Sequence, residues 1–218
     1  MKTIAGIQYL ERKPKKNLDK NPLLLLIHGY GSNEEDLFSF AEDLPDEFHV
    51  VSVRGIHNLN PGMYAWYEID FVNMQKFNNV PQAVESRENL VKFIDEITAL
   101  ENLDKENVTV IGFSQGAILA YSMALNYPEK LKNIACLSGY PELDFIGEID
   151  SAKDFSKLNF YISHGIDDMV IPVEWAQKGK PFLDKLNIRN EYHEYRSGHG
   201  LVPQNYFDLM KWLANLSR

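Results

Sequence analysis

The chain has almost no cysteine, no long apolar run and no excess of positive charge, and each shortage removes a class of explanation. A single cysteine among 218 residues rules out an internal disulfide and a cysteine-rich metal site. That residue, Cys136, sits in the apolar run Ile134-Ala135-Cys136-Leu137 and reads as a small buried hydrophobe. The longest aliphatic run, Leu23 to Ile27, is far too short to span a bilayer, so no stable membrane insertion is expected. The opening residues Met1-Lys2-Thr3-Ile4-Ala5-Gly6 lack the apolar core of a secretory signal, which sets a cytoplasmic expectation. With 22 Lys and Arg against 31 Asp and Glu, the net charge of −9 argues against nucleic acid as a partner. Internal repeats, low-complexity tracts and linkers are missing too, and 44% hydrophobic residues over this length fit one domain spanning 1–218.

What is present is organised around Val108-Thr109-Val110-Ile111-Gly112-Phe113-Ser114-Gln115-Gly116 and the apolar residues that follow. A β-branched run, a Gly-x-Ser-x-Gly turn and an apolar helix form the context of a nucleophile elbow, with Ser114 at the apex. The motif alone is short enough to arise by chance; the strand before it and the helix after it are what give it weight.

The rest of the chain alternates strands and helices. Residues 3–10 read as an opening edge strand, and residues 12–20 as a solvated turn. Leu23 to Ile27 is the unbroken apolar run of a strand buried on both faces. The pattern Ser32-x-x-Glu35 predicts a capped helix to about Leu44, stopped by Pro45. Further strands are expected at 48–53, 131–137, 158–162 and 191–195, with helices at 81–99, 115–127, 172–186 and from Pro203 onwards. Such alternation predicts an α/β fold, a mostly parallel central sheet with helices on both faces. About twenty residues separate the strands ending at Leu137 and beginning at Leu158, which leaves no room for a cap domain.

One segment stands apart. Residues 54–80 hold five asparagines and a cluster of Met63 with the aromatics Tyr64, Trp66, Tyr67 and Phe71. A connection that long either serves function or packs its own aromatics. Those aromatics could line a pocket or cover a subunit contact, the second giving a homodimer.

Ligands in folds of this type bind beyond the carboxyl ends of the strands, where His28-Gly29, Ser114, Ser138-Gly139, Asp167-Asp168 and His199 all fall. A serine hydroxyl needs a base. His49 and His193 lie in strands and His57 in the long loop, and these three read as structural or surface residues. His28 reads as a brace for its loop. His199, in the flexible turn Ser197-Gly198-His199-Gly200, can swing toward the elbow and is the expected base. The order nucleophile, acid, histidine is that of α/β-hydrolases, and Asp167 and Asp168 both occupy the acid's place; spacing does not separate them. Backbone N–H donors for an oxyanion are expected from Gln115, the residue after the nucleophile, and from Tyr30 in the His28-Gly29-Tyr30-Gly31 turn.

The chain therefore resembles the phospholipase/carboxylesterase family of α/β-hydrolases, which includes the acyl-protein thioesterases. The resemblance runs in family order through Leu26-Ile27-His28-Gly29-Tyr30-Gly31 with Asp36-Leu37, and through Trp66-Tyr67-Glu68-Ile69. It continues in Gly112-Phe113-Ser114-Gln115-Gly116, Leu137-Ser138-Gly139-Tyr140, His164-Gly165-Ile166-Asp167-Asp168 with Pro172, and Gly198-His199. It implies the α/β-hydrolase fold and a family activity on carboxylic esters or thioesters. It also selects Asp168 as the acid, supports Tyr30 and Gln115 as oxyanion donors, and puts Trp66 in the acyl-binding region. Around residues 55–82 the chain differs from the eukaryotic thioesterases in length and composition. The expected activity is that of a serine carboxylesterase acting on small to medium acyl esters, with Ser114, His199 and Asp168 as its triad and no metal or organic cofactor. The alternatives are a thioesterase or lysophospholipase, and a non-catalytic α/β-hydrolase fold that binds a ligand.

Overall fold

The computed structural model describes residues 1–69 and 78–216. Phe71 and Asn73 of the aromatic, asparagine-rich segment lie outside the described residues. Among those described, eight strands form one sheet. In chain order they are β1 (Lys2–Ile4), β2 (Ile7–Arg12), β3 (Pro22–Ile27), β4 (His49–Val53), β7 (Asp104–Phe113), β8 (Asn133–Leu137), β9 (Asn159–Gly165) and β10 (Arg189–Tyr195). Their spatial order is β1-β2-β4-β3-β7-β8-β9-β10. From β4 to β10 every pairing is parallel, and β2 alone runs against the others, pairing antiparallel with both β1 and β4. Two further strands, β5 (His57–Asn60) and β6 (Met63–Ala65), pair as a separate hairpin.

The alternation of side chains along a strand divides the core in two. In β3, Leu23, Leu25 and Ile27 join one apolar cluster, while Leu24 and Leu26 join the other. The first cluster lies under α2 (Val80–Leu100) and α3 (Gln115–Asn126), and the second under α1 (Glu35–Phe38) and α7 (Pro203–Leu216). Helices thus cover both faces. The helix α3 is buried on nearly all sides, as its apolar sequence requires. Between β8 and β9 the chain forms only the four-residue α4 (Leu143–Ile146). No described helix is long and apolar enough to cross a membrane.

Four local expectations change. The single opening strand is a hairpin, because Ala5 and Gly6 both adopt positive φ (49° and 79°) and reverse the chain between β1 and β2. Arg12 is not part of a solvated turn. It ends β2 with its guanidinium buried against the carbonyls of Leu44 and Pro45, at 3.3 and 3.0 Å. The helix after Ser32 stops at Phe38, and the Ser32 side chain does not cap it. Ser32 O instead accepts Tyr64 N–H of β6, with Gly31 N–H returning a bond to Tyr64 O, and the Ser32 hydroxyl goes to Asp36, while the chain to Ala41 tightens into three-residue turns. The helix expected over 172–186 is two, α5 (Val173–Ala176) and α6 (Gly179–Lys185). Pro181 has no N–H to continue α5, but it is tolerated in the first turn of α6, where no intrahelical acceptor exists.

Arg12→Met keeps the aliphatic stem but leaves two carbonyls in a buried setting without their donor. We expect a loss of about 2 kcal/mol, read as a lower urea midpoint with an unchanged slope.

Candidate active site

The elbow joins β7 to α3. Ser114 carries φ 53° and ψ −115°, a conformation that costs a non-glycine residue about 1–3 kcal/mol. Its own N–H is held by Leu137 O at 2.8 Å, which ties the strained residue to β8. The first turn of α3 then passes so close to β3 that a Cβ on Gly116 would lie 2.1 Å from Ile27 O. Only glycine fits that contact.

His199 arrives from the far side of the sheet. After β10, the turn at Ser197 and Gly198 crosses the end of β9, and a Cβ on Gly165 would meet Gly198 O at 2.3 Å. The crossing seats the His199 ring against Phe113, with ring centroids 5.1 Å apart. His199 Nε2 lies 2.9 Å from Ser114 Oγ, and Nδ1 lies 2.7 Å from Asp168 Oδ2. A carboxylate only accepts, so Nδ1–H donates to Asp168 and Nε2 is left to accept the Ser114 hydroxyl proton. The Asp168 side chain is fully buried, and its second oxygen accepts the N–H groups of Val170 (2.8 Å) and Ile171 (2.9 Å). Asp167 is exposed, and its backbone N–H closes the turn onto Ser197 O at 3.0 Å. Of the two aspartates, the structure brings only Asp168 to the imidazole.

Ser114 and His199 open onto a cavity of about 220 Å³ whose walls include Tyr67, Ile69, Ile118, Tyr140, Ile171 and Trp175. Tyr30 and Gln115 line it beside Ser114. Gln115 is the first residue of α3, where a backbone N–H has no intrahelical acceptor. A larger, more open cavity of about 690 Å³ adjoins it and shares Asn78, Tyr140 and Trp175. Glu142 Oε2 accepts the Tyr140 hydroxyl at 3.0 Å, and burial followed by the charge of Glu142 keeps that phenol well above its ordinary range.

Trp66 departs from expectation. Its side chain is wholly buried outside the cavity, and Nε1 donates to His28 O at 3.0 Å. The neighbours Tyr67 and Ile69 line the cavity in its place. Trp66 N–H donates to Gln115 Oε1 at 2.8 Å and Gln115 Nε2 donates to Tyr67 O at 2.7 Å, so the Gln115 amide clasps the 66–67 backbone. The sequence carries one signal for this clasp, a polar side chain opening an apolar helix. Ile118 is hidden among the apolar residues of α3, and Tyr140, in the loop after β8, shares no pattern with Trp175 in α5.

His28 braces its loop as expected: Nδ1–H donates to Gly29 O (2.7 Å) and Nε2 accepts from Gly55 N–H (2.9 Å). Cys136 is buried, and burial pushes its thiol well above the ordinary value. Among the described residues, no group of three or more His, Cys, Asp or Glu is placed to hold a metal ion.

Residues 13–217 match the family described as Phospholipase/Carboxylesterase. A rice protein (Oryza sativa subsp. japonica) named as a carboxylesterase is 32% identical over 161 residues, covering 70% of this chain; the match spans 58% of the rice protein's length. MhqD of Bacillus subtilis (strain 168), named as a hydrolase, is 34% identical over 87% of this chain and 91% of its own. Acyl-protein thioesterase 1 of Kluyveromyces lactis is 26% identical over 93% of this chain and 91% of its own. Among solved structures, the Bacillus cereus carboxylesterase superposes with a TM-score of 0.82 at 25% identity, over 96% of this chain and 94% of that one.

Burial lowers the pKa of His28 and of His49 from the ordinary 6.5, so the unfolded chain takes up these protons first as pH falls. Their contribution to stability is therefore present above pH 6.5 and declines as pH falls below it. Urea unfolding should give a lower free energy at about pH 5.5 than at pH 7.5, and His28→Gln should flatten that slope.

Proposed function

The chain belongs to the phospholipase/carboxylesterase family, and from that premise we propose that it is a serine carboxylesterase hydrolysing small to medium acyl esters through an acyl-enzyme. The observation that carries the reading is the unbroken line Ser114 Oγ, His199, Asp168 at 2.9 and 2.7 Å, at the mouth of a largely apolar cavity.

In this mechanism Ser114 Oγ attacks the ester carbonyl as His199 Nε2 takes its proton. The imidazolium that forms is stabilised by Asp168, which also fixes the tautomer. The N–H groups of Tyr30 and Gln115 receive the negative charge on the carbonyl oxygen of the tetrahedral intermediate. His199 then gives the proton to the departing alkoxide, and the acyl group stays on Ser114. Water, deprotonated by His199, attacks the acyl-enzyme; the second tetrahedral intermediate releases the acid and returns the proton to Ser114. The volume of about 220 Å³ beside Ser114 favours a compact acyl group, and the adjoining open cavity leaves room for the rest of the substrate.

A second reading, that of an acyl-thioesterase, draws on the likeness to the Kluyveromyces lactis acyl-protein thioesterase over nearly the full chain. Matched acyl oxyesters and thioesters decide between them. The carboxylesterase reading expects the oxyester to have the higher kcat/KM.

Ser114→Ala should lower kcat by about a million-fold and abolish labelling by a fluorophosphonate. Asp168→Asn should cost about ten-thousand-fold by imposing the wrong imidazole tautomer, whereas Asp167→Asn should stay near wild type. A Ser114→Ala enzyme with more than about a tenth of wild-type turnover would sink the mechanism.

A further inference from the structure

The geometry points to His164 as a positioning residue for the acid: an imidazole whose Nε2–H holds the turn of Asp168 in place and tempers the carboxylate's pull on His199. His164 lies near the end of β9 and its side chain is wholly buried. Its Nε2 is 2.8 Å from Ile171 O and 3.2 Å from Asp168 Oδ2, the same oxygen that His199 Nδ1 approaches at 2.7 Å. Asp168 is thus flanked by two imidazoles on one oxygen and by two backbone N–H groups on the other.

Chemistry fixes the state of His164. A carbonyl only accepts, so Nε2 carries the proton that points to Ile171 O. Nδ1 is buried with no hydrogen-bond partner among the described residues. Leaving Nδ1 bare itself costs stability, which a leucine of similar bulk would avoid. The structure gives that cost a purpose, because the Nε2–H serves the catalytic acid twice.

First, it closes a ring. His164 holds Ile171 O while Ile171 N–H holds Asp168 Oδ1, so the turn that aims the carboxylate is pinned from both ends. Ile171 also lines the reaction cavity. Second, the proton-bearing Nε2, electropositive on that edge of the ring, lies 3.2 Å from Asp168 Oδ2. It shares that oxygen's charge and reduces the field that Asp168 exerts on an imidazolium at His199. Among the described residues, Asp168 is the one carboxylate within 4.0 Å of either ring. The other groups facing His199 are the Ser114 hydroxyl and the Phe113 ring, and the cavity adds the phenols of Tyr30, Tyr67 and Tyr140.

The test compares His164→Leu, which keeps bulk and loses the donor, with His164→Gln, whose amide nitrogen can replace Nε2. In His164→Leu we expect kcat to fall at least about tenfold with KM little changed. The acid limb of the kcat/KM profile should move to higher pH by about half a unit to one unit. His164→Gln should return the limb and most of kcat. A limb that stays in place in His164→Leu, or a glutamine variant no better than leucine, overturns the inference. If His164→Leu does not fold, ¹⁵N-histidine spectra of the wild-type protein supply the reading. His164 should carry its ring proton on Nε2, and an Nδ1–H tautomer defeats the assignment. The proposal rests on the triad reading, but the two fail separately: an active Ser114→Ala enzyme removes the triad, whereas an inactive one with an unmoved limb in His164→Leu removes only the role of His164.

Discussion

The approach of α3 to the end of β3 governs the rest of the site. With no Cβ on Gly116, the helix can begin against Ile27 O, and Ser114 is pushed up at the sheet edge in a backbone conformation that its neighbours must hold. The same contact brings the turn after β3 alongside the nucleophile: a Cβ on Gly29 would stand 3.2 Å from Ser114 Cβ. The two segments that carry Tyr30 and Gln115 are neighbours for that reason. A polar pocket assembled this way is built from backbone, which cannot relax away as charge develops, and preorganised donors of this kind are worth several kcal/mol in a dry site.

Burying a carboxylate is the opposing constraint. The Asp168 side chain has no solvent exposure, and an unpaired charge there would be very costly. The turn between β9 and α5 answers with donors on both oxygens: the N–H groups of Val170 and Ile171 on one and the imidazole of His199 on the other, with His164 Nε2 3.2 Å from that second oxygen. Asp167, one residue earlier, meets none of them because its side chain faces solvent. Adjacent positions in the sequence thus carry opposite roles, and only the fold of the turn separates them.

Much of this was legible beforehand, for a physical reason. Ser114, Asp168 and His199 each follow a strand of a parallel sheet, and parallel strands deliver their carboxyl ends to one edge. Strand order then did the assembly that spacing could not. What the sequence hid depends on contacts between distant segments. The capping pattern at Ser32 is sound locally, yet pairing with β6 claims that residue's backbone and the helix shortens. Arg12 reads as surface until the carbonyls of Leu44 and Pro45, more than thirty residues away, take its guanidinium. Trp66 and Tyr67 are equally aromatic in the sequence. The clasp by Gln115 and the bond to His28 O turn the first into the core and leave the second to the cavity.

That clasp links selectivity to chemistry. Gln115 offers its backbone N–H at the start of α3, while its side-chain amide grips Trp66 and Tyr67. One residue therefore joins the proposed oxyanion donor to the segment that shapes the acyl cavity. Ser86 adds a hydroxyl to Trp66 O, which extends the connection to α2. Packed interiors transmit strain rather than absorb it, so a change in the 66–69 wall reaches the elbow through bonds of 2.7 and 2.8 Å. Reshaping the cavity on this side thus also disturbs the backbone N–H proposed to meet the oxyanion. In such a scaffold, altered specificity is easier to reach from walls on other segments, such as Tyr140 after β8 and Trp175 in α5, than from the 66–67 backbone that Gln115 clasps.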